Sequence, residues 1–520
     1  MTNAVSFPAR PASFDGFVHS SGTKLVDGSG RELLLRGMGI GNWMLPEGYM
    51  WKFGPGAESP REIETLVSRL IGAPAAAEFW TGFREAFFNE ADIARIAASG
   101  FDHVRLPINS RLVIDDDGIF IETGFVMIDD VIAWCRKHGL WVLLDLHGAP
   151  GGQTGTNIDD SPNNRPELFM DARYRDLTIT LWREFARRYA DETAVLGYDL
   201  LNEPIPNEWT EVYNADLAAL YRELTRVIRE VDSNHLIVYE GSHWATNWDV
   251  FTEVWDDNSC LQFHKYWSPP DTSTIQKFLK VRDSLGLPIY MGEGGENNLE
   301  WLYTAWRLYE SNDIGWNFWP WKKIDTRTSP ASIKSPSGWA DIVAHIADGS
   351  AVSRETAHAA FDELLVNMRL ENCVWQPEII QAITAVEPVE IPAWGFGFRG
   401  HGVSYSTSSA RPLADMRDTD AVTILYAAAT ERDGHWFEQT DGRDYSESER
   451  MVVTLAAGEW LEYEMTGVDD LARVSVTDEL GGHADVALSR SVRGFRVTAP
   501  RGAVLARITV VQPGPGRPGR

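Results

Sequence analysis

Basic side chains are scarce in this 520-residue chain: 47 Lys and Arg stand against 75 Asp and Glu, a formal charge of −28 at pH 7. Nucleic-acid binding runs on phosphate neutralisation by Lys and Arg, so this balance excludes nucleic acid as a partner, and it argues equally against an anionic membrane surface. Cysteine is rarer still. Cys135, Cys260 and Cys373 are odd in number and far apart, which excludes a disulfide framework, and without a CxxC pair there is no zinc or redox motif. No apolar run approaches the ~18 residues that span a bilayer. The opening stretch MTNAVSFPARPASFDGF lacks the basic start and apolar core of a secretory signal, so the expected location is cytosolic; a chain trimmed of its signal would read the same.

Tryptophan, by contrast, is abundant at 21 residues, about three times ordinary usage. An aromatic core accounts for part of that surplus. The rest suits surfaces that stack flat, partly apolar rings, and sugars are the commonest such ligand.

Between about residues 20 and 370, short apolar runs alternate with amphipathic helical stretches. The strand candidates are LLLRGMG (33–39), HVRLP (103–107), LWVLLDLH (140–147), VLGYDLLNE (195–203), HLIVYEG (235–241), CLQFHKY (260–266), LPIYMGE (287–293) and IGWNFWPW (314–321). Most are continuous rather than alternating, the pattern of strands buried on both faces. Helical periodicity fills 89–100, 125–139, 175–191, 214–232 and 354–370. The fold class is therefore α/β, a (β/α)8 TIM barrel over 21–371, with a doubly wound open sheet as the alternative. Residues 1–20 form an N-terminal extension and the Pro-containing stretch 372–392 a linker with one short helix. Short alternating strands with Gly turns over 393–512 predict a smaller C-terminal β-sandwich, and 513–520 a disordered tail.

Barrel active sites lie at the carboxyl ends of the strands. Those ends carry Arg105, His147, Asn202 with Glu203, His264 with Tyr266, Glu293 and Trp319. Two are carboxylates, on the fourth and seventh strands, and strands of a closed barrel can aim both at one point. Two carboxyl groups about 5–5.5 Å apart across a glycosidic bond are the equipment of a retaining glycosidase, one donating a proton and the other attacking the anomeric carbon. Arg105 and Tyr266 are placed to keep Glu293 ionised, and Asn202 to bond a sugar 2-hydroxyl. If Glu203 is the acid, its pKa is expected to be raised while that of Glu293 stays low. No HExxH or comparable spacing supports a metal. RGMGIGN (36–42) lacks the third glycine of a dinucleotide site, and HGAPGGQTG (147–155) lacks the Lys-Ser/Thr of a phosphate loop, so no metal or cofactor is expected.

With these motifs in this order, residues 30–325 resemble glycoside hydrolase family 5. LRGMGIGNW is similar to the family's first strand, HVRLP to its second-strand arginine and LLDLHGAPGGQTG to its third-strand histidine. DLLNEP resembles the Asn-Glu acid/base pair, FHKY the His-x-Tyr pair, MGEGG the nucleophile and WNFWPWK the eighth-strand tryptophan. The resemblance implies Glu203 as proton donor, Glu293 as nucleophile and Trp319 as the floor beneath the reacting sugar. NWMLPE (42–47) is similar to the exo-β-1,3-glucanase branch, which adds Trp43 and Glu47 to the substrate-binding set. The loop 152–169 is longer than in that branch, and its Asp159 and Asp160 would suit a short glycoside. The C-terminal stretches GHGVSYS (400–406) and AGEWLEYEM (457–465) resemble family 6 carbohydrate-binding modules, with Trp394 and Trp436 as candidate sugar platforms and Trp460 read as a sandwich-core residue ahead of a third platform; a module that packs on the barrel or completes its cleft is the alternative. The implied activity is a retaining β-glycosidase, exo-acting on β-D-glucosides or short β-glucans, with a small carbohydrate or glycoside as its partner. Alternatives are a diglycosidase, a β-mannosidase, an endo-β-glucanase, a transglycosidase or an inactive sugar-binding protein.

Overall fold

The computed structural model describes residues 10–408, 416–428, 435–468 and 470–512. Eight parallel strands close into a barrel: β1 (Arg36–Gly39), β2 (His103–Asn109), β3 (Trp141–Gly148), β4 (Val195–Asp199), β5 (Leu236–Glu240), β6 (Ser259–His264), β7 (Ile289–Gly295) and β8 (Gly315–Trp319). Every residue of β2 and β3 is buried, which is why those runs read as continuously apolar. All eight expected strands are present and the open-sheet alternative is excluded. The register between β6 and β7 shifts after the Phe263–Met291 pair, so that Glu293 comes opposite His264. Such irregularities re-aim a side chain at the strand's end.

The expected helices form with clear caps. Asn89 starts Glu90–Ala98 with a capping box completed by Asp92, and Gly139 ends Glu122–His138 in a left-handed conformation. Two further helices, Pro60–Ile71 and Ala73–Phe87, lie between β1 and β2. They pack Phe79 and Phe83 around Trp51, together with Phe53 and Trp339, which places part of the tryptophan surplus in the core. No helix among the described residues is long and apolar enough to cross a membrane.

The barrel's other end is closed from the N-terminal side. The strands His19–Ser21, Lys24–Val26 and Glu32–Leu33 form a small antiparallel sheet, and Val18 and Leu25 pack with Trp141, Leu143 and Tyr290. The boundary expected at residue 20 thus falls inside a strand, and Leu33 belongs to this sheet rather than to β1.

After β8 the strands Lys322–Ile324, Ala331–Ile333 and Val374–Trp375 form a small mixed sheet, and the described residues of the C-terminal module form three antiparallel sheets of three, four and three strands. The first pairs Val389–Pro392 with Arg507–Val510, so the segment expected to be a linker ends within the C-terminal module. Within the expected sandwich, the stretch GFGFRGHGVSYS (395–406) contributes only Tyr405–Ser406 to a sheet; Gly400 and Gly402 take positive φ and turn the chain before it. The tail 513–520 lies outside the described residues.

The helix Leu299–Ser311, which follows β7, is buried from Trp301 through Ser311. It is enclosed by the barrel on one side and the C-terminal region on the other. Tyr303 Oη donates to the Glu464 carbonyl at 2.8 Å, Arg307 Nη2 to the Ile383 carbonyl at 2.5 Å, and Glu300 pairs with Arg507 at 3.1 Å.

Candidate active site

Arg105, fully buried on β2, organises the carboxyl end of the barrel. Its Nε donates to Asp199 at 2.8 Å, Nη1 to Glu293 at 2.9 Å, and Nη2 to Asn202 and Glu240 at 2.9 Å each, with Asp145 at 3.2 Å. Burial opposes its charge, but the four surrounding carboxylates outweigh that and hold the guanidinium protonated. Beneath the strand ends, Asp145, Asp199, Glu240 and Gln262 thus form a polar layer that the sequence reading missed. Its signal was there: a carboxylate inside an otherwise apolar strand, as in LWVLLDLH. Burial pushes Asp199 up to about 6 and Asp145 well above the usual carboxylate range, against the pull of Arg105.

Glu203 lies just past β4 with φ +43°, a left-handed conformation that side-chain-bearing residues seldom adopt outside functional sites. Its backbone N–H donates to Glu240 Oε2 at 2.7 Å, and its Oε1 meets His264 Nδ1 at 2.6 Å. Burial alone would depress His264. Glu240, Glu293 and Glu203 reverse that and hold its pKa well above the ordinary histidine value.

Glu293 receives Arg105 on Oε2 and Tyr266 Oη on Oε1, the latter at 2.7 Å. Burial, with Glu203 adding to it, pushes its carboxyl up to about 7, against the pull of His264 and Arg105. The expectation that Glu293 stays low is therefore corrected: two donors do not offset dehydration and a second carboxylate nearby. One oxygen of Glu203, one of Glu293 and a ring nitrogen of His264 lie within 4.8 Å of one another. These are also donor types that bind metals, but His264 Nδ1 is engaged by Glu203, and Glu293 by a cation and a phenol, which compete with an ion.

His147 bonds Asp145 through Nδ1 at 2.7 Å, leaving Nε2 3.3 Å from Asn202 Nδ2. Burial and the Arg105 charge lower its pKa to about 4, so the ring is neutral, with the proton assigned to Nδ1 by this network. Trp319 stacks on it, ring centroids 5.4 Å apart and 11° from parallel, and donates Nε1 to Tyr49 Oη at 3.0 Å.

Glu47, Glu203, His264, Tyr266, Glu293 and Trp319 line, among others, a cavity of about 690 Å³; Arg105, His147 and Asn202, expected to touch substrate, lie behind that lining and hold its members in place. Glu47 is buried, and its Oε1 has no hydrogen-bond partner among the described residues. Burial first, then Glu293 and Glu296, raises its pKa well above the carboxylate range. The sequence reading missed Tyr49, Glu296 with its ion pair to Lys323, Trp244 and Trp267, all on loops with no strand pattern to locate them. Backbone strain marks several: Trp244, Trp267 and Glu296 all have φ between +49° and +57°.

Three expectations are corrected. Trp43 does not line the cavity; its indole N–H donates to the Arg84 carbonyl at 2.9 Å and its ring packs on Phe88. Asp159 turns inward and braces its own loop, accepting from Thr154, Gly155 and Ser161, while Asp160 pairs with Arg111; Asn157 and Ile158 reach the cavity instead. Trp394 is fully buried and one face of Trp460 is covered by Arg496, so of the three candidate platforms only Trp436, 62% exposed, offers a free ring.

The family model for cellulase (glycosyl hydrolase family 5) matches residues 71–325. A beta-xylosidase of Phanerodontia chrysosporium is 30% identical over 347 residues, 59% of this chain and 71% of that protein. Endoglucanase C of Acetivibrio thermocellus is 27% identical over 305 residues, 46% of this chain and 86% of its own. A protein named probable glucan 1,3-beta-glucosidase A, from Aspergillus niger, is 29% identical over 240 residues, 45% of this chain and 55% of its own. Barrel, carboxylate pair and relatives agree: the chain belongs to glycosyl hydrolase family 5 and is a glycoside hydrolase.

Proposed function

We propose that this enzyme is a retaining, exo-acting β-glucosidase, with Glu293 as nucleophile and Glu203 as acid/base. The observation that carries the reading is the Glu203–Glu293 approach within 4.8 Å. Inverting enzymes hold their carboxyl groups roughly 6.5–9.5 Å apart to seat a water, and retaining enzymes about 5–5.5 Å apart. Glu293 attacks the anomeric carbon, the glycosidic C–O bond breaks, and the leaving oxygen takes the proton from Glu203. Water then gives a proton to Glu203 and displaces Glu293 from the ester, so the configuration is retained. Two hydrogen bonds, from Arg105 and Tyr266, mark Glu293 as the carboxylate that carries the charge at the moment of attack.

Support for the β configuration comes from relatives named beta-xylosidase and glucan 1,3-beta-glucosidase. The unpartnered Glu47 oxygen supports a glucoside pocket closed at its end, where a terminal sugar hydroxyl would satisfy it. A second reading, release of a disaccharide, is favoured by the cavity's size. At ~30 Å³ per water, 690 Å³ holds roughly two dozen waters, about twice the heavy atoms of one hexose.

The test is a panel of p-nitrophenyl β-glycosides carrying glucose, mannose, cellobiose, laminaribiose and rutinose. Release from the monoglucoside supports the exo reading; cleavage confined to the disaccharide glycosides replaces it with the second. For Glu293→Ala we expect a loss beyond the ~10⁴-fold ceiling of ordinary acid–base residues, and azide rescue that yields the α-glycosyl azide. Ordinary turnover by that variant would remove Glu293 from the role.

A further inference from the structure

The stretch from Trp436 to Tyr445 belongs to the C-terminal module, yet Thr440 and Asp441 at its tip line the cavity of the barrel. The tip is held from three sides. Asn297, next in sequence to the cavity residue Glu296, donates Nδ2 to the Phe437 carbonyl at 2.6 Å. Phe437 is itself buried, edge-on to Trp394. Gly442 sits at φ +69°, where a Cβ would come within 2.9 Å of Thr328 Cγ2 and 3.1 Å of Arg327 Cβ. Only glycine allows both that conformation and that approach to the segment after β8. Asp441 is exposed, one carboxylate oxygen accepting from the Arg443 N–H at 3.1 Å.

These contacts put the loop over the ends of β7 and β8. Glu203 follows β4, which lies across the closed barrel from β8. A leaving group protonated by Glu203 therefore departs away from this loop, and the sugar attacked by Glu293 extends toward it.

We propose that Asp441 is a specificity-determining residue that accepts hydrogen bonds from hydroxyl groups of a neutral glycone, so that the C-terminal module completes the substrate site. This rests on the assignment of Glu203 and Glu293 above. A carboxylate accepts from neighbouring hydroxyls of an uncharged sugar and repels an acidic one. The ligand class is thus a neutral mono- or disaccharide unit whose end distal to the scissile bond meets Asp441.

The experiment compares wild type and Asp441→Ala on p-nitrophenyl β-glucoside and β-cellobioside, with thermal melting to confirm the fold. A lost hydrogen bond to a charged group is expected to change the cellobioside-to-glucoside ratio of kcat/KM on the order of tenfold. The change should fall on KM, and the rate ratio between p-nitrophenyl and 2,4-dinitrophenyl leaving groups should stay unchanged, which a general structural defect would not produce. A ratio within twofold of wild type overturns the proposal. The same comparison is made by binding, with cellobiose and glucose titrated into Glu293→Gln and Glu293→Gln/Asp441→Ala and followed by tryptophan fluorescence. An enzyme that binds these sugars but cleaves neither glycoside removes the catalytic reading while the Kd ratio still decides Asp441. Equal Kd ratios in the two proteins overturn the proposal, as does no binding to either.

Discussion

Glu293 sits in a dehydrated space beside Glu203, and both the burial and the neighbour raise its proton affinity. With Glu293 raised to about 7, its nucleophilic form is present above that pH and lost as pH falls through it, which sets the acid limb of kcat/KM near neutrality. The acid role requires Glu203 to keep its proton while Glu293 ionises, so Glu203→Gln, neutral at the same place, is expected to leave this limb within about half a pH unit of wild type. The measurement is a pH profile on 2,4-dinitrophenyl β-glucoside, whose leaving group needs no acid; a limb that falls by a unit or more would mean that Glu203 is charged when Glu293 titrates, and would remove it from the acid role. His147, already neutral above about 4, should leave that limb untouched.

Residues at strand ends were legible in the sequence because a polar side chain after an apolar run has one place to go in a barrel. Asp145, Asp199 and Glu240 stood out only as carboxylates inside apolar runs, since the sequence does not say that Arg105 lies among them to compensate their burial. Trp43 misled for the opposite reason: a motif of related shape carried it into the site, whereas Phe88 and the Arg84 carbonyl hold it in the core.

At the scale of elements, the eight strands were readable because a doubly buried parallel strand must be apolar throughout, and the helices because of their caps. The loops had no such signature, and they carry Tyr49, Trp244, Trp267 and Glu296. The C-terminal strands were partly readable; Met451–Ala456 is apolar on both faces in part and was passed over, while glycines undid the stretch before Tyr405. Strand glycines have a tighter meaning than turn formation. A Cβ on Gly292 would stand 2.0 Å from the Gln262 side-chain carbon. Gln262 donates to Asp199 at 3.0 Å and lies 3.1 Å from His264 Nε2, so the bulk of an added methyl would be felt under the carboxylate pair. Gly292→Ala is expected to cost about 1–3 kcal/mol in urea unfolding and to lower kcat as well. Unchanged values of both would mean that the amide repacks freely.

At the scale of the whole molecule, the cavity wall sets Asp441 beside the catalytic pair, while burial pushes Glu47 toward its neutral form and Lys323 pairs with Glu296, within a chain of net charge −28. Acidic sugars should therefore be disfavoured: p-nitrophenyl β-glucuronide is expected to react at least tenfold more slowly in kcat/KM than the glucoside, with the gap narrowing as salt rises. A salt-independent preference would place the discrimination in shape instead. Removing residues after 371 should not leave a working barrel, because the buried helix Leu299–Ser311 would lose the partners of Tyr303, Arg307 and Glu300. Such a truncation is expected to aggregate on expression; a soluble, active product would show that the barrel stands alone.

That same helix imposes a delay on the nascent chain. The cover of one of its faces starts with Ile383 and is complete only when Glu464 and then Arg507 have been made, the last about 200 residues after Leu299. At roughly 5–20 residues per second, the ribosome takes on the order of ten to forty seconds to supply them. For that interval the seventh strand–helix unit exposes a largely apolar surface, and chaperones that shield such surfaces have their longest opening there.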